Sequence, residues 1–267
     1  MSMSKSNGSP ELQSFPTFVE HWLVQQNKYL EKLISVSKHH MSTQTNLGPL
    51  INGVIEHYEQ YYEAKSSCVK QDVLGMLTPS WTSTLEDAFM WIGGWRPTVA
   101  IHLFYSKSGL QLDGQLTNLI RGLGTCDLSD LSPTQLTRVD ELQRRTIREE
   151  RDITEKMAKI QETVADQSMV ELSHIVTELI SSGGGGGGDG DELEERVKLA
   201  LASKVEVLEE IFHKADDLRM RTLKAILDVF TPLQAVHFLI AAAELQLRVH
   251  DWGMKKDASQ VHATCRA

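Results

Sequence analysis

Three of the chain's five tryptophans lie within fifteen residues of one another, in the run WTSTLEDAFMWIGGWRP from Trp81 to Pro97. Aromatic residues make up only 6% of the sequence, so this concentration marks the place where a fold would be pinned. The run also has local grammar. Ser83 and Glu86 have the spacing of a capping box, in which the Ser side chain accepts an orphan N–H and the Glu reaches back. Leu85, Ala88, Phe89 and Ile92 recur at helical spacing, which predicts a helix reaching Ile92. Gly93-Gly94 supplies its stop, and Pro97 suits the first turn of the next helix. The run carries no nucleophilic, acid–base or metal-binding motif. The run reads as a packing corner.

The rest of the chain repeats the helical signal. Phe18, Trp22, Leu23, Leu30, Leu33 and Ile34 form one stripe; Ile51, Val54, Ile55, Tyr58, Tyr62, Val69 and Val73 form another. A helix is expected from Thr98 to about Lys107 and a shorter one near Gln115 to Ile120, with Gly122 and Gly124 in a loop. Ser132-Pro133-Thr134-Gln135 is a strong start signal, with a Ser cap, Pro at the first helical position and Gln at the third. No breaker follows before about Ile180, which predicts one helix of roughly 70 Å. Its middle, QRRTIREER from Gln143 to Arg151, holds Ile147 as its lone apolar residue. That stretch is expected to face solvent, held by pairs such as Arg145 to Glu149. The run from Ser181 to Gly190 is low-complexity and reads as a flexible loop. Another helix runs from the acidic Asp191–Glu195 stretch to about Phe230, with a bend expected near Lys214. Thr231-Pro232-Leu233-Gln234 repeats the start signal. The last helix is expected to end near Trp252, with Gly253 as its stop.

No period-2 strand pattern occurs. The predicted fold class is all-α: a multi-helix bundle with one long, partly exposed helix and a glycine-rich flexible loop. The expected organisation is a disordered segment 1–14, a single helical domain 15–253 with halves of about 15–125 and 130–253, and a C-terminal tail 254–267.

Composition limits function. The formal charge of −9 argues against a broad phosphate-binding surface. Three cysteines, Cys68, Cys126 and Cys265, are too few for a disulfide framework and fit a reducing compartment, the nucleus or cytoplasm. The first residues lack the apolar core of a signal peptide. The most apolar stretch, Ala235 to Ala243, contains His237 and is too short to span a bilayer. The glycine run satisfies a dinucleotide-type pattern only trivially. It follows a helix and meets Asp189, Asp191 and Glu192, so a linker explains it better. His39-His40 has no ligand-spaced partners, and the acidic run lacks calcium-loop spacing, so no metal site is expected. Cys68 has no adjacent His, and no hydrolase or zinc-enzyme motif is present, so no catalytic residue is assigned. Arg144, Arg145, Arg148 and Arg151 interleave with Glu141, Glu149, Glu150 and Asp152, the pattern of a solvated face rather than a DNA stripe.

Four stretches carry a resemblance. They are Ile55–Lys65 (IEHYEQYYEAK), the tryptophan run, Ala215–Leu223 (ADDLRMRTL) and Thr231–Gly253, which opens TPLQAVHFLIAAAEL and ends HDWG. Together they resemble the plant delay-of-germination domain, which also forms the C-terminal part of TGA-type basic-zipper transcription factors. The resemblance spans about Phe15 to Gly253. It marks Trp81, Trp91, Gly93, Gly94, Trp95, Arg96 and Pro97 as the structural signature. It implies a non-enzymatic regulator that acts through protein partners, such as type-2C protein phosphatases or transcription factors, in hormone-linked, seed-dormancy or developmental control. It also makes a homo-oligomer an option. The N-terminal helix takes part in partner binding in related proteins, which makes Phe18, Trp22 and Leu23 candidate anchors; the alternative is that they face the chain's own core. TGA-type factors read DNA with a basic-zipper region before this domain. Only fourteen residues with one lysine precede it here, so direct DNA binding is not expected. Some delay-of-germination proteins bind haem through two histidines four apart on the last helix. The matching positions are Gln246 and His250, so His250 is the candidate haem ligand and Gln246 the departure. No cofactor is expected; the alternatives are a haem or lipid sensor and a DNA-associated transcription regulator.

Overall fold

A computed structural model describes residues 14–39, 46–108, 131–181 and 189–264. Nine helices follow one another along these residues: α1 (Phe15–His39), α2 (Gly48–Val69), α3 (Val73–Leu77), α4 (Thr84–Ala88), α5 (Pro97–Ser108), α6 (Pro133–Glu162), α7 (Gln167–Ser181), α8 (Asp189–Leu227) and α9 (Pro232–Thr264). No strand occurs among the described residues, so the fold is all-α. The segment 1–13, the short helix near 115–120, Gly122, Gly124, Cys126 and most of the glycine run lie outside the described residues.

The main core is built by stripes from six helices. Trp22 and Leu33 of α1 meet Val54 of α2, Phe104 of α5, Val139 of α6, Ile226 of α8 and Phe238 of α9. A second cluster joins Phe15 and Val19 to Val69, Val73, Met76 and Phe212. A third places Ile153 of α6 against Ile211, Ala215 and Leu218 of α8. Burial of side chains of this size contributes about 1.5–3 kcal/mol each. That is why each helix turns its apolar stripe inward although few are strong formers along their whole length.

The capping signals are realised. Ser83 accepts from the Glu86 N–H while Glu86 accepts from the Ser83 N–H. Ser132 and Gln135 exchange the same pair of bonds at the start of α6. Thr231 and Gln234 do so ahead of α9.

Four expectations are corrected. The helix through the tryptophan run stops at Ala88, leaving Phe89 76% exposed. The long helix does not reach Ile180. It breaks at a 3-10 turn, Thr163–Ala165, after which Asp166 caps the new helix by accepting the Met169 N–H at 2.9 Å. Lys204 of α8 fixes the break by bonding the Thr163 carbonyl and the Asp166 carboxylate at 2.9 and 2.6 Å. The polar middle of α6 is not simply a solvent face. Thr146 and Glu150 are buried and continue the inward stripe of Val139, Leu142 and Ile153, whereas Ile147 is 48% exposed. Glu149 pairs with Arg221 of α8 at 2.8 Å, a partner on another helix. Finally, α9 runs through Gly253 to Thr264. A helix-interior glycine costs only about 1 kcal/mol, and this one is needed for packing.

Candidate functional site

The tryptophan run is held by its backbone more than by its indoles. Trp91 N–H donates to the Gly94 carbonyl at 2.7 Å and Gly94 N–H donates back to Trp91 at 3.3 Å. Ile92 and Gly93 between them have φ of 45° and 65°. Two central residues at positive φ make a type I′ turn. The left-handed region is strained for a β-branched residue such as Ile92. Glycine is required at 93, because a Cβ there would lie 2.1 Å from Cζ of Phe212.

Such a turn leaves carbonyls outside any helical ladder, and buried carbonyls need donors. Two cations supply them. Lys65 of α2 donates to the Gly93 carbonyl at 2.8 Å and to Asp216 of α8 at 2.9 Å. Arg219 of α8 donates to the carbonyls of Trp95 at 2.7 Å and Ile92 at 2.9 Å, and also to that of Trp91. The same guanidinium pairs with Asp216. Lys65 and Arg219 are 1% and 0% exposed. Bonds to ionised groups are shorter and stronger than neutral ones, so this knot ties the turn to α2 and α8. Burial pushes the Lys65 ammonium down to about 8, partly opposed by the Asp216 carboxylate. Its Nζ lies 4.7 Å from the Phe212 ring, and the Arg219 guanidinium lies 5.3 Å from the Trp91 ring.

The indoles add anchors around the knot. Trp81 packs edge-on against Phe15 at 4.9 Å. Trp91 donates to Thr154 of α6 at 3.0 Å, and Trp95 to the Tyr62 hydroxyl at 2.8 Å. Arg96 pairs with Glu150 at 2.8 Å. The same carboxylate accepts the Thr98 N–H at 2.6 Å, serving as a cap for α5, whose first residue is the buried Pro97. The structural signature is therefore brought together as one unit.

Sequence reasoning missed the residues that tie it. Lys65, Asp216 and Arg219 lie inside two of the four stretches that carried the resemblance, and their signal was a charge embedded in an inward-facing helical stripe. Three of those stretches thus meet at one point.

The fourth meets the corner from the other side. Gly253 of α9 lies so close to α4 that a Cβ would fall 2.0 Å from Ser83 Oγ. His250 places Nδ1 3.1 Å from both carboxylate oxygens of Glu86, the capping-box residue. Asp257 accepts the Thr84 N–H at 2.8 Å and its hydroxyl, which holds the Asp257 carboxyl below the usual carboxylate range.

Gln246 looks elsewhere. Its Oε1 accepts from Gln26 Nε2 at 3.2 Å and from the Tyr58 hydroxyl at 3.3 Å. The two positions that would flank a haem iron are thus engaged with two different neighbours, one of them an amide. The residues present do not fit an axial pair for that group. Beside Gln26 and Tyr58, His57 stacks on Trp22 with centroids 4.5 Å apart, and burial pushes its pKa down to about 4. Its Nε2 has no hydrogen-bond partner.

Trp22, Phe18 and Leu23 all pack inward. Trp22 is 5% exposed and donates to the His57 carbonyl at 3.0 Å, while Phe18 and Leu23 lean on the core from its edge. Trp22 is covered, while Phe18 and Leu23 each remain partly exposed. Cys68 lies on α2 as a free thiol, pushed up by burial. Arg144, Arg145 and Arg148 are exposed on α6, and Arg151 pairs with Glu155 at 3.7 Å. Among the described residues, no cluster of His, Cys, Asp and Glu could hold a metal ion and no helix is long and apolar enough to cross a membrane.

Comparison with known proteins agrees with this convergence. Residues 29–106 match the family model described as "DOG1: Seed dormancy control". Protein DOG1-like 3 of Arabidopsis thaliana is 30% identical over 262 residues, which cover 95% of this chain and 88% of that protein. Protein DOG1-like 4 of the same plant is 30% identical over 95% of this chain and 97% of its own length. Transcription factor TGA2 is 26% identical over 92% of this chain, the match covering 63% of that longer protein. A relative at this identity over nearly the full length, together with four motifs that fold into one corner, places the chain in the DOG1-like family.

Proposed function

We propose that this protein is a non-enzymatic plant regulatory protein that acts by binding other proteins in hormone-linked or developmental control. One observation carries the reading: the residues that mark the family are consumed in a closed polar latch. Lys65, Asp216 and Arg219 are buried and aimed at backbone carbonyls and at one another. A catalytic group needs access to substrate and a base or nucleophile within reach, and this knot offers neither. The matching family model is described as seed dormancy control and one relative is named a transcription factor, which supports a regulatory role. Candidate partners are type-2C protein phosphatases or transcription factors, met in the nucleus or cytoplasm.

Affinity purification from plant tissue with mass spectrometry tests this directly. Stable co-purifying proteins are expected. Recovery of the chain alone, or turnover of a substrate by the purified protein, would overturn it.

We infer further that the α9 face is a packing seam and binds no haem. The Glu86–His250 contact and the Gln26–Tyr58–Gln246 cluster support this. The check is an absorption spectrum of the purified protein: a Soret band that disappears in His250→Ala would sink the inference. Direct duplex-DNA binding is likewise not proposed; a salt-sensitive mobility shift with the purified chain would reverse that.

A further inference from the structure

The segment from Gln167 to Glu210, α7 and the first half of α8, holds ten Asp and Glu against three Lys and Arg, a surplus of seven in a chain whose net charge is −9. Several of its apolar side chains are also poorly covered. Val170, Leu199, Leu201 and Val207 are 40–63% exposed. α7 packs chiefly along α8, and together with the first half of α8 it forms an arm.

The arm has a defined outer face. Leu193, Val197, Ala200 and Lys204 of α8 recur at helical spacing and are the less exposed positions, and Lys204 bonds the turn that leads into α7. Glu195, Leu199, Ala202, Glu206 and Glu210 recur at i, i+4, i+7, i+11 and i+15, a second face of the same helix. All five are exposed. Leu199 is 63% exposed at the centre of this stripe, with Ala202 one turn on and carboxylates on either side. Glu195 lies 3.9 Å from Lys198 and Glu210 pairs with Lys214, both exposed pairs within α8, whereas Glu206 makes no ion pair among the described residues. Exposed leucines are ordinary one at a time. An exposed apolar centre set between like charges along one helix face is the pattern by which helices choose partners, with the apolar seam giving affinity and flanking charges giving selectivity.

We propose that this face of α8 docks a basic amphipathic helix of a partner protein. The partner helix presents an aliphatic seam to Leu199 and Ala202 and Lys or Arg to Glu195 and Glu206. The charge surplus selects the occupant, because an acidic or neutral helix gains nothing from these carboxylates and a like-charged one is repelled. The proposal rests on the partner-binding reading above and adds where on the chain a partner sits and what chemistry it has.

The experiment uses the full chain and a fluorescein-labelled peptide of Leu, Ala and Lys, patterned so that Leu lines one helix face and Lys flanks it. Binding is followed by fluorescence anisotropy at low ionic strength. Glu195→Lys combined with Glu206→Lys is expected to weaken binding by about tenfold, and Leu199→Ser by a similar factor. A Lys/Ser peptide of equal charge is expected to bind about tenfold more weakly than the Leu-containing one. A photo-crosslinker on the Leu face is expected to label residues between Glu195 and Glu210. Circular dichroism confirms that the variants remain folded. Unchanged binding by the variants, equal binding of the Lys/Ser peptide, or crosslinks elsewhere would each overturn the proposal. So would sedimentation showing that the face is covered by a second copy, with the dimer lost in the same variants. If tissue purification recovers partners and these results fail, only the location and chemistry of the interface are wrong.

Discussion

The tryptophan corner and the α7–α8 arm use charge in opposite ways. At the corner, Lys65, Asp216 and Arg219 are taken out of water, and the two cations donate to Asp216 and to four backbone carbonyls in and beside one strained turn. On the arm, Glu194, Glu195 and Glu206 stand in water on the outer side of α8. Buried charges are costly to leave unpaired, and exposed ones contribute little to stability. The corner is therefore where substitutions unfold the chain, and the arm is where they change what it binds.

The sharpest way to break this comparison is Asp216→Asn. It leaves two buried cations without their carboxylate and should cost about 3–5 kcal/mol in urea unfolding. A loss under about 1 kcal/mol would mean that the knot is no more than a surface-type contact.

Next in size is a pH effect. His57 is held neutral, with its pKa near 4 against an ordinary 6.5. Between those values the unfolded chain takes up a proton that the folded chain refuses. Stability should therefore fall as pH drops from 6.5 to 4, by up to about 3 kcal/mol from this group. His57→Phe keeps a ring against Trp22 and should flatten that part of the pH profile; an unchanged slope would reject the assignment.

Gly253→Ala is expected to cost about 1–3 kcal/mol by overpacking, since the new Cβ would meet Ser83 Oγ at 2.0 Å. Thermal melts would report it, and a neutral or stabilising result would show that α9 can shift off α4. Smallest of all, Leu199→Ser on the arm should change stability by no more than about 0.5 kcal/mol. A larger loss would place Leu199 in a packed interior.

Much of the architecture was legible from spacing alone. Ser83 with Glu86 and Ser132 with Gln135 became the capping boxes they looked like, because a cap is satisfied by residues three apart and needs nothing distant. The break after Glu162 was not legible. It depends on Asp166 capping α7 and on Lys204, remote in sequence, bonding the turn. The burial of Thr146 and Glu150 was not legible for a related reason: polarity predicts exposure only where no partner exists, and α6 meets Arg96 and Thr98 through Glu150. Gly253 carried the right residue and the wrong meaning. A glycine marks close approach as readily as it marks a stop, and only the position of α4 decides which.

The order of residues by itself determined the helices, their caps and the apolar stripes, since those follow from periods of three and four along one chain. What only the tertiary structure decided was the fate of the charges. Whether Lys65 faces solvent or the Asp216 carboxylate, and whether Arg219 faces solvent or the Trp95 carbonyl, depends on groups 151 and 124 positions away, and the energy of a charge is set by what surrounds it rather than by what precedes it.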